Sequence, residues 1–363
     1  MYVLLILYLL LINISIITPK KYIKILIIIF SIVIGIISFL FVPVEDMDLF
    51  RHYQRLEILR NINLSELNNT HIYDSLPVIK YYLFFISKLK YNGFLPAITI
   101  FIIYFLMGLI IHKFSKSNNL SKKAEVFLYL FFILTHNYLT SISGIRNFMA
   151  FSIFFYVLYM DLVEGKKKLI CFSIYIILCF IHTSVIILIV IRLILFIRIR
   201  FLKKIVVSLI LVWSFFIPVI TTIFTKFERI EFFRELIYKM SVYNNIGITI
   251  NIHSILATIL LIIAILIICI STNILNVKED KPIYTYLNYA KLLCIFIIGS
   301  INNYHVFIRF SNSLTFVIPI ILGVAINNKL TSYKKVVVLC ITILLSIVSI
   351  GLFIFQYKFI SFK

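Results

Sequence analysis

Long apolar runs alternate with short polar breaks from one end of the chain to the other. The runs fall at about 2–17, 22–42, 76–87, 94–112, 124–138, 145–163, 169–181, 183–197, 205–224, 251–270, 284–301, 307–326 and 336–357. Most approach the ~20 residues that a helix needs to cross a hydrocarbon core. In that solvent each backbone N–H and C=O must find a partner inside the chain, so the runs are expected as helices. The pattern predicts an all-α, polytopic integral membrane protein of about 12 transmembrane helices (11–13), with short re-entrant or interfacial helices between them.

Basic residues punctuate the runs and give them a direction. They cluster at Lys20, Lys21 and Lys24, at Lys113, Lys116, Lys122 and Lys123, and at Lys166 to Lys168. Further clusters are Arg198, Arg200, Lys203 and Lys204, then Lys329, Lys334 and Lys335, with Lys278 and Lys281 a weaker sixth. The positive-inside rule puts these in the cytoplasm, which requires an even number of crossings between neighbouring clusters. Runs 124–138 with 145–163, 169–181 with 183–197, 205–224 with 251–270, and 284–301 with 307–326 satisfy it as four pairs. Three runs lie between the first two clusters. The run 76–87 is the shortest of them and is followed by Lys88 and Lys90, so it is expected not to cross. Segments 43–75, 139–146, 225–250 and 302–308 then face outward, 43–75 and 225–250 being the long outward loops.

Composition agrees with the pattern. The chain is 62% hydrophobic and 13% charged with a mean hydropathy of +1.09, far from the balance of a soluble domain. No stretch is polar enough for a separate soluble domain, so residues 1–363 are expected as one membrane unit. The net charge of +21 resides in loop clusters and not on a binding face, which argues against nucleic acid as a partner. Cys171, Cys179, Cys269, Cys294 and Cys340 all lie in apolar runs without paired spacing and are expected as packing residues. The first run lacks a basic leader and a small-residue cleavage site, so it is expected to remain as a span.

Chemistry-bearing residues gather on the outward side. The loop after the second run reads Pro43-Val44-Glu45-Asp46-Met47-Asp48-Leu49-Phe50-Arg51-His52-Tyr53. On a helix starting near Asp48, Arg51, His52 and Arg55 share one face and Leu49, Tyr53 and Leu56 another. An amphipathic interfacial helix capped by Asp46 or Asp48 accounts for the same residues structurally. Arg146 opens a span directly after Ser143-Gly144, where snorkelling to head groups is the structural alternative. His182 lies in the middle of an apolar stretch, a costly place for an ionisable group. His305 and Arg309 follow Asn302-Asn303-Tyr304 at the start of another span, and His253 is a weaker candidate of the same kind. A metal pair such as Glu45 with Asp48, or Asp46 with Asp48, has the weaker claim, since such residues more often cap helices, and no metal or other cofactor is expected. Arginines near an outward carboxylate-bearing loop suit a ligand carrying phosphate, because a guanidinium is a fixed fork of donors that stays charged. Carboxylates and histidines can take a proton from a hydroxyl.

At the loop "DLFRHY" and the segments "SGIRNFMAFSIFF", "FIHTSVIIL" and "VFIRFSN" the chain resembles the EpsG/Wzy-type polysaccharide polymerases of bacterial envelopes. The order of these segments relative to the spans is similar too. Many members of that family have a Gly-x-Asp tract before the acidic loop; here Pro43-Val44-Glu45-Asp46 stands instead, which leaves Asp46 and Asp48 both open as the equivalent carboxylate. The resemblance implies a GT-C-like glycosyltransferase of the bacterial cytoplasmic (inner) membrane. It would join undecaprenyl-pyrophosphate-linked oligosaccharide repeat units into capsule, O-antigen or exopolysaccharide. Its partners would be those lipid-linked sugars, membrane lipids, and flippase and chain-length regulator proteins. Asp46, Asp48 and His182 are then the candidate catalytic residues, and Arg51, His52, Arg146, His305 and Arg309 the candidates for binding pyrophosphate and substrate. Two rivals remain. A lipid-linked oligosaccharide flippase would place charges along a central cavity, yet mid-span charges are few. An O-acyltransferase would use His182 but draw its acyl donor from the cytoplasm.

Overall fold

The protein is described from a computed structural model covering residues 10, 11, 13–15, 17–230, 234, 237, 252–274, 281–327, 361 and 362. Most of the run 2–17, most of the loop 225–250 and the whole run 336–357 with Cys340 lie outside the described residues. The chain divides into two compact units, Met1–Val185 with Pro319–Lys363, and Ile186–Ile318.

Among the described residues, five helices are long and apolar enough to cross a membrane: Lys20–Phe39, Phe94–Ser117, Ile145–Leu162, Pro282–Gly299 and Tyr304–Asn327. Shorter apolar helices cover Pro77–Ser87, Lys168–Cys179, Val185–Ile194 and His253–Cys269. Stripes of exposed large apolar side chains mark surfaces suited to lipid. On α1 (Ile23–Phe39), Ile25, Ile29, Ile32 and Ile36 form an exposed stripe at helical spacing. The opposite stripe, Ile23, Ile27, Phe30 and Ile34, is buried.

In the first unit α1 is followed by α2 (Asp48–Arg60), α3 (Pro77–Ser87), α4 (Phe94–Ser117), α5 (Lys122–Thr135), α6 (Tyr138–Ser143), α7 (Ile145–Leu162) and α8 (Lys168–Cys179). Helices α1 and α4 pack antiparallel along their lengths. At one end the Phe39 ring meets Phe94 with centroids 5.0 Å apart. At the other, Lys20 Nζ donates to Leu120 O at 2.6 Å. Everything between them, including α2 and the eleven-residue α3, therefore leaves and re-enters the pair at the same end. Lys113 and Glu164 pair at 3.0 Å at the Lys20 end, so the first three basic clusters share that end.

Close approach at the Phe39 end depends on Gly93. A Cβ there would stand 2.3 Å from Phe39 O and 3.1 Å from Phe39 Cδ2. Gly93→Ala is expected to force the helix ends apart at a cost of about 1–3 kcal/mol, read as a lower melting temperature of the detergent-solubilised protein. Unchanged melting would show that the contact opens freely. A short antiparallel pairing lies just beyond this end, with Phe41 opposite Phe362 and Val42 opposite Ser361.

Two apolar runs behave differently from their hydropathy. Run 124–138 is not one helix: α5 stops at Thr135, His136 is extended, and α6 begins under an Asn137 cap whose side chain accepts from Thr140 N–H at 3.0 Å. Run 205–224 breaks into α10 (Arg200–Leu211), a 3₁₀ turn at Trp213–Phe216 and α11 (Ile217–Thr225). Pro218 sits in the first turn of α11, where its missing N–H costs nothing; inside a continuous span it would remove a ladder bond. That run is therefore not a single continuous helix. Run 169–197 is two helices, α8 and α9 (Val185–Ile194), joined by the turn that carries His182.

In the second unit α10 lies against α13 (Lys281–Gly299), and Trp213 Nε1 donates to Ser300 Oγ at 2.9 Å. The Trp213 ring stacks on Phe296, which meets Phe310 of α14 (Tyr304–Ser313) edge-on. Helix α12 (Ile252–Ile274) packs on both α13 and α14. A 3₁₀ turn at Leu314–Phe316 leads from α14 into α15 (Ile318–Asn327).

Candidate functional site

Helix α2 carries the first half of the site because its sequence has two kinds of face. Leu49, Leu56 and Leu59 are fully buried, and His52 lies on the same buried stripe. The expected grouping of His52 with Arg51 and Arg55 needs that correction: at 100° per residue His52 borders the arginine face but points inward. Arg51 is exposed and Arg55 half-buried. Asp48, in the first turn, pairs with Arg51 at 2.7 Å and complements the helix dipole. Both partners are more than half exposed, so the pair orders Arg51 and adds little stability. The C-terminus of α2 is fixed by Lys88, whose Nζ donates to Leu59 O, Arg60 O and Ile62 O at 3.1, 2.9 and 2.6 Å. These carbonyls lie at the helix end, where the regular ladder stops, so one ammonium caps the helix end and ties it to the end of α3.

The second half comes from the turn before α3. Tyr73 lies beneath two cations, with the guanidinium carbons of Arg55 and Arg146 at 4.4 and 4.3 Å from its ring centroid. Arg55 Nη1 also donates to the Tyr73 hydroxyl, which is 3.5 Å from His52 Nδ1. Arg146 reaches this point from the first turn of α7, after the short α6 has packed against α2 and Gly144 has joined α6 to α7. Next along the turn, Asp74 accepts from the buried Lys80 at 2.6 Å and from His71 at 3.0 Å.

Three guanidiniums around one imidazole set the electrostatics. Burial, then the charges of Arg146, Arg55 and Arg51, holds His52 well below the usual histidine range, so the ring is neutral. Burial and the charges of Arg146 and Arg51 lower the Arg55 pKa, with Asp48 opposing them. Asp74 is held below the usual carboxylate range by its hydrogen bond from Lys80. The site is a concentration of positive charge with one exposed carboxylate at its edge, and it favours an anion with several oxygens.

The remaining sequence candidates lie around or apart from this cluster. Asp46 is exposed in the turn that precedes α2. His182 is buried; Ser184 N–H donates to its Nδ1 at 3.2 Å, which leaves Nε2 to carry the proton of the neutral ring. The His182 turn is tied to α3, because Ile79 N–H donates to Phe180 O at 3.3 Å. His305 and Arg309 are one turn apart on α14 in the second unit.

The chain's residues 77–363 match the family model described as the EpsG family. The chain belongs to the EpsG family. The match includes Arg146, His182, His305 and Arg309, whereas Asp48, Arg51, His52, Arg55 and Tyr73 precede it. No curated protein and no solved structure matches this chain. Membership and the long apolar helices together make it a helical membrane protein of polysaccharide biosynthesis.

Sequence reasoning left several residues that matter in this EpsG-family chain out of the candidate site. Arg55 was placed on one face with Arg51 but not named as a site residue. Lys80 carried one as well, as a lysine inside an apolar run with Asp74 six residues before it. Tyr73 carried none, because only the folded turn brings it under Arg146. His136 is a further buried histidine, with Nε2 2.7 Å from Ser141 Oγ and its ring stacked on Phe132 at 4.9 Å. Those contacts hold α6 to the end of α5, which fixes the origin of Arg146.

Proposed function

We propose that the chain polymerises undecaprenyl-pyrophosphate-linked oligosaccharide repeat units into a surface polysaccharide at the outer face of the bacterial cytoplasmic membrane. It would do so from about 12 crossings in a GT-C-like arrangement. The observation that carries this reading is the convergence of Arg55 and Arg146 on Tyr73 beside neutral His52, with Arg51 paired to Asp48 at the edge. The charge rule assigns that end of the first unit to the outside, opposite Lys20, Lys113 and their neighbours.

The reaction asks little of the protein beyond electrostatics and proton transfer. A hydroxyl oxygen of the acceptor sugar attacks the anomeric carbon of the donor unit. The bond from that carbon to the diphosphate oxygen breaks, and undecaprenyl diphosphate leaves with the electron pair. Arg146 and Arg55 stabilise the charge that grows on the leaving group, and Arg51 assists from the edge. Asp48 takes the hydroxyl proton: it is the carboxylate held against the arginines, and a bound diphosphate would compete with it for Arg51. Asp46, and His182 on its tethered turn, are the other candidate bases. His305 and Arg309 are the further candidates for binding substrate.

Lipid-linked sugars in a deletion strain test the reading. Single repeat units on undecaprenyl diphosphate are expected to accumulate on the outer leaflet, with loss of long polymer. Units trapped on the inner leaflet would mark a flippase, and unmodified polymer of normal length would mark an acyltransferase.

A further inference from the structure

Tyr73 is held by more than a turn residue requires. Its backbone lies in the left-handed region with φ 56°, as does His71 at 51°. That conformation is costly for a residue with a ring on Cβ, and such strain persists only where the surroundings impose it. Asp74 imposes it from one side, anchored to buried Lys80 and to His71. Arg55, Arg146 and His52 impose it from the other. Two like charges brought this close repel, and a shared ring offers each cation the negative face of its π-system in return. The ring also gives both guanidiniums a reference plane. A guanidinium binds phosphate oxygens through a rigid fork, so fixing its plane fixes where those oxygens must lie.

We propose that Tyr73 is the positioning residue of the diphosphate site, its ring setting the planes of Arg55 and Arg146 and its hydroxyl joining Arg55 to His52. This rests on the diphosphate reading above and adds a residue that precedes the family match. The hydroxyl accepts from Arg55 and lies 3.5 Å from His52 Nδ1, so it links the two. The lipid-linked substrate therefore meets donor forks that are aligned before it arrives, and less ordering has to accompany binding.

The test uses the full-length protein in nanodiscs with farnesyl diphosphate as the probe and farnesol as its uncharged control. Tyr73→Phe keeps the ring and is expected to bind within about fivefold of wild type. Tyr73→Leu and Tyr73→Gly lose the ring and are expected to bind about thirtyfold more weakly, as loss of two cation–ring contacts implies. Glycine suits a positive φ, so Tyr73→Gly removes the strain while removing the ring. A residue that only shapes the turn would make Gly the mildest change and Phe no better than Leu. Either of those results overturns the positioning role, as does wild-type affinity in all three. If Tyr73→Gly does not accumulate in the membrane, Phe against Leu decides the question alone. Wild-type protein that binds the diphosphate no better than farnesol overturns the diphosphate reading itself, and the role of Tyr73 with it.

Discussion

Arg146→Lys is expected to lower polymer formation about a hundredfold at unchanged membrane abundance, the usual consequence of losing one aligned electrostatic contact to a leaving group. Lysine keeps the positive charge, the topology signal and the ability to reach head groups. It gives up the planar fork and the stack over Tyr73, in which the guanidinium carbon lies 4.3 Å from the ring centroid. The cost therefore separates geometry from charge. Arg200 is the control: it is exposed at the start of α10 in a basic cluster, and Arg200→Lys is expected to leave polymer length and amount unchanged. Arg192 would be a poor control despite its place near the same cluster, because it is buried with its guanidinium 4.5 Å from the Phe196 ring centroid. Polymer would be measured from cells with matched levels of each variant. Equal polymer from Arg146→Lys and Arg200→Lys would return Arg146 to a snorkelling role and remove the centre of the proposed site.

The second large effect concerns stability. Lys80 is buried in α3 and its ammonium is 2.6 Å from Asp74, so Asp74→Asn leaves a buried charge without its counter-ion. Such a change typically costs about 3 kcal/mol, whereas removing both charges is far milder. Asp74→Asn is expected to lower the melting temperature of the solubilised protein sharply, and adding Lys80→Met is expected to restore most of it. The same pair gives a pH dependence. The Asp74 carboxyl titrates below the usual carboxylate range when folded, so its contribution is complete above the unfolded value of about 3.9 and is lost as pH falls through the lower, folded value. Acidification should therefore destabilise wild type more than the double variant. A single variant as stable as wild type would show that the tether does not hold the Tyr73 turn.

The apolar periodicity was enough to read a helical membrane protein. A run such as 94–112 has one low-energy solution in lipid, a helix that satisfies its own backbone, and α4 is that helix. The division of the run around His182 into two helices was legible from charge spacing. Arg146 and the acidic loop stood out in the sequence because charged groups beside a membrane are expensive enough to need an explanation. The breaks within runs 124–138 and 205–224 were less legible, because hydropathy does not register an extended His136 or a proline-started turn. What the sequence determined alone was each segment's environment: lipid, interface or loop. The tertiary structure decided which residues meet. Tyr73, Arg55 and Arg146 come from a turn, an interfacial helix and the mouth of a span, and nothing local encodes their meeting. Burial against lipid is a property of each segment, whereas a shared ring beneath two guanidiniums is a property of three segments at once, fixed by the packing of α2, α6 and the Asp74–Lys80 tether.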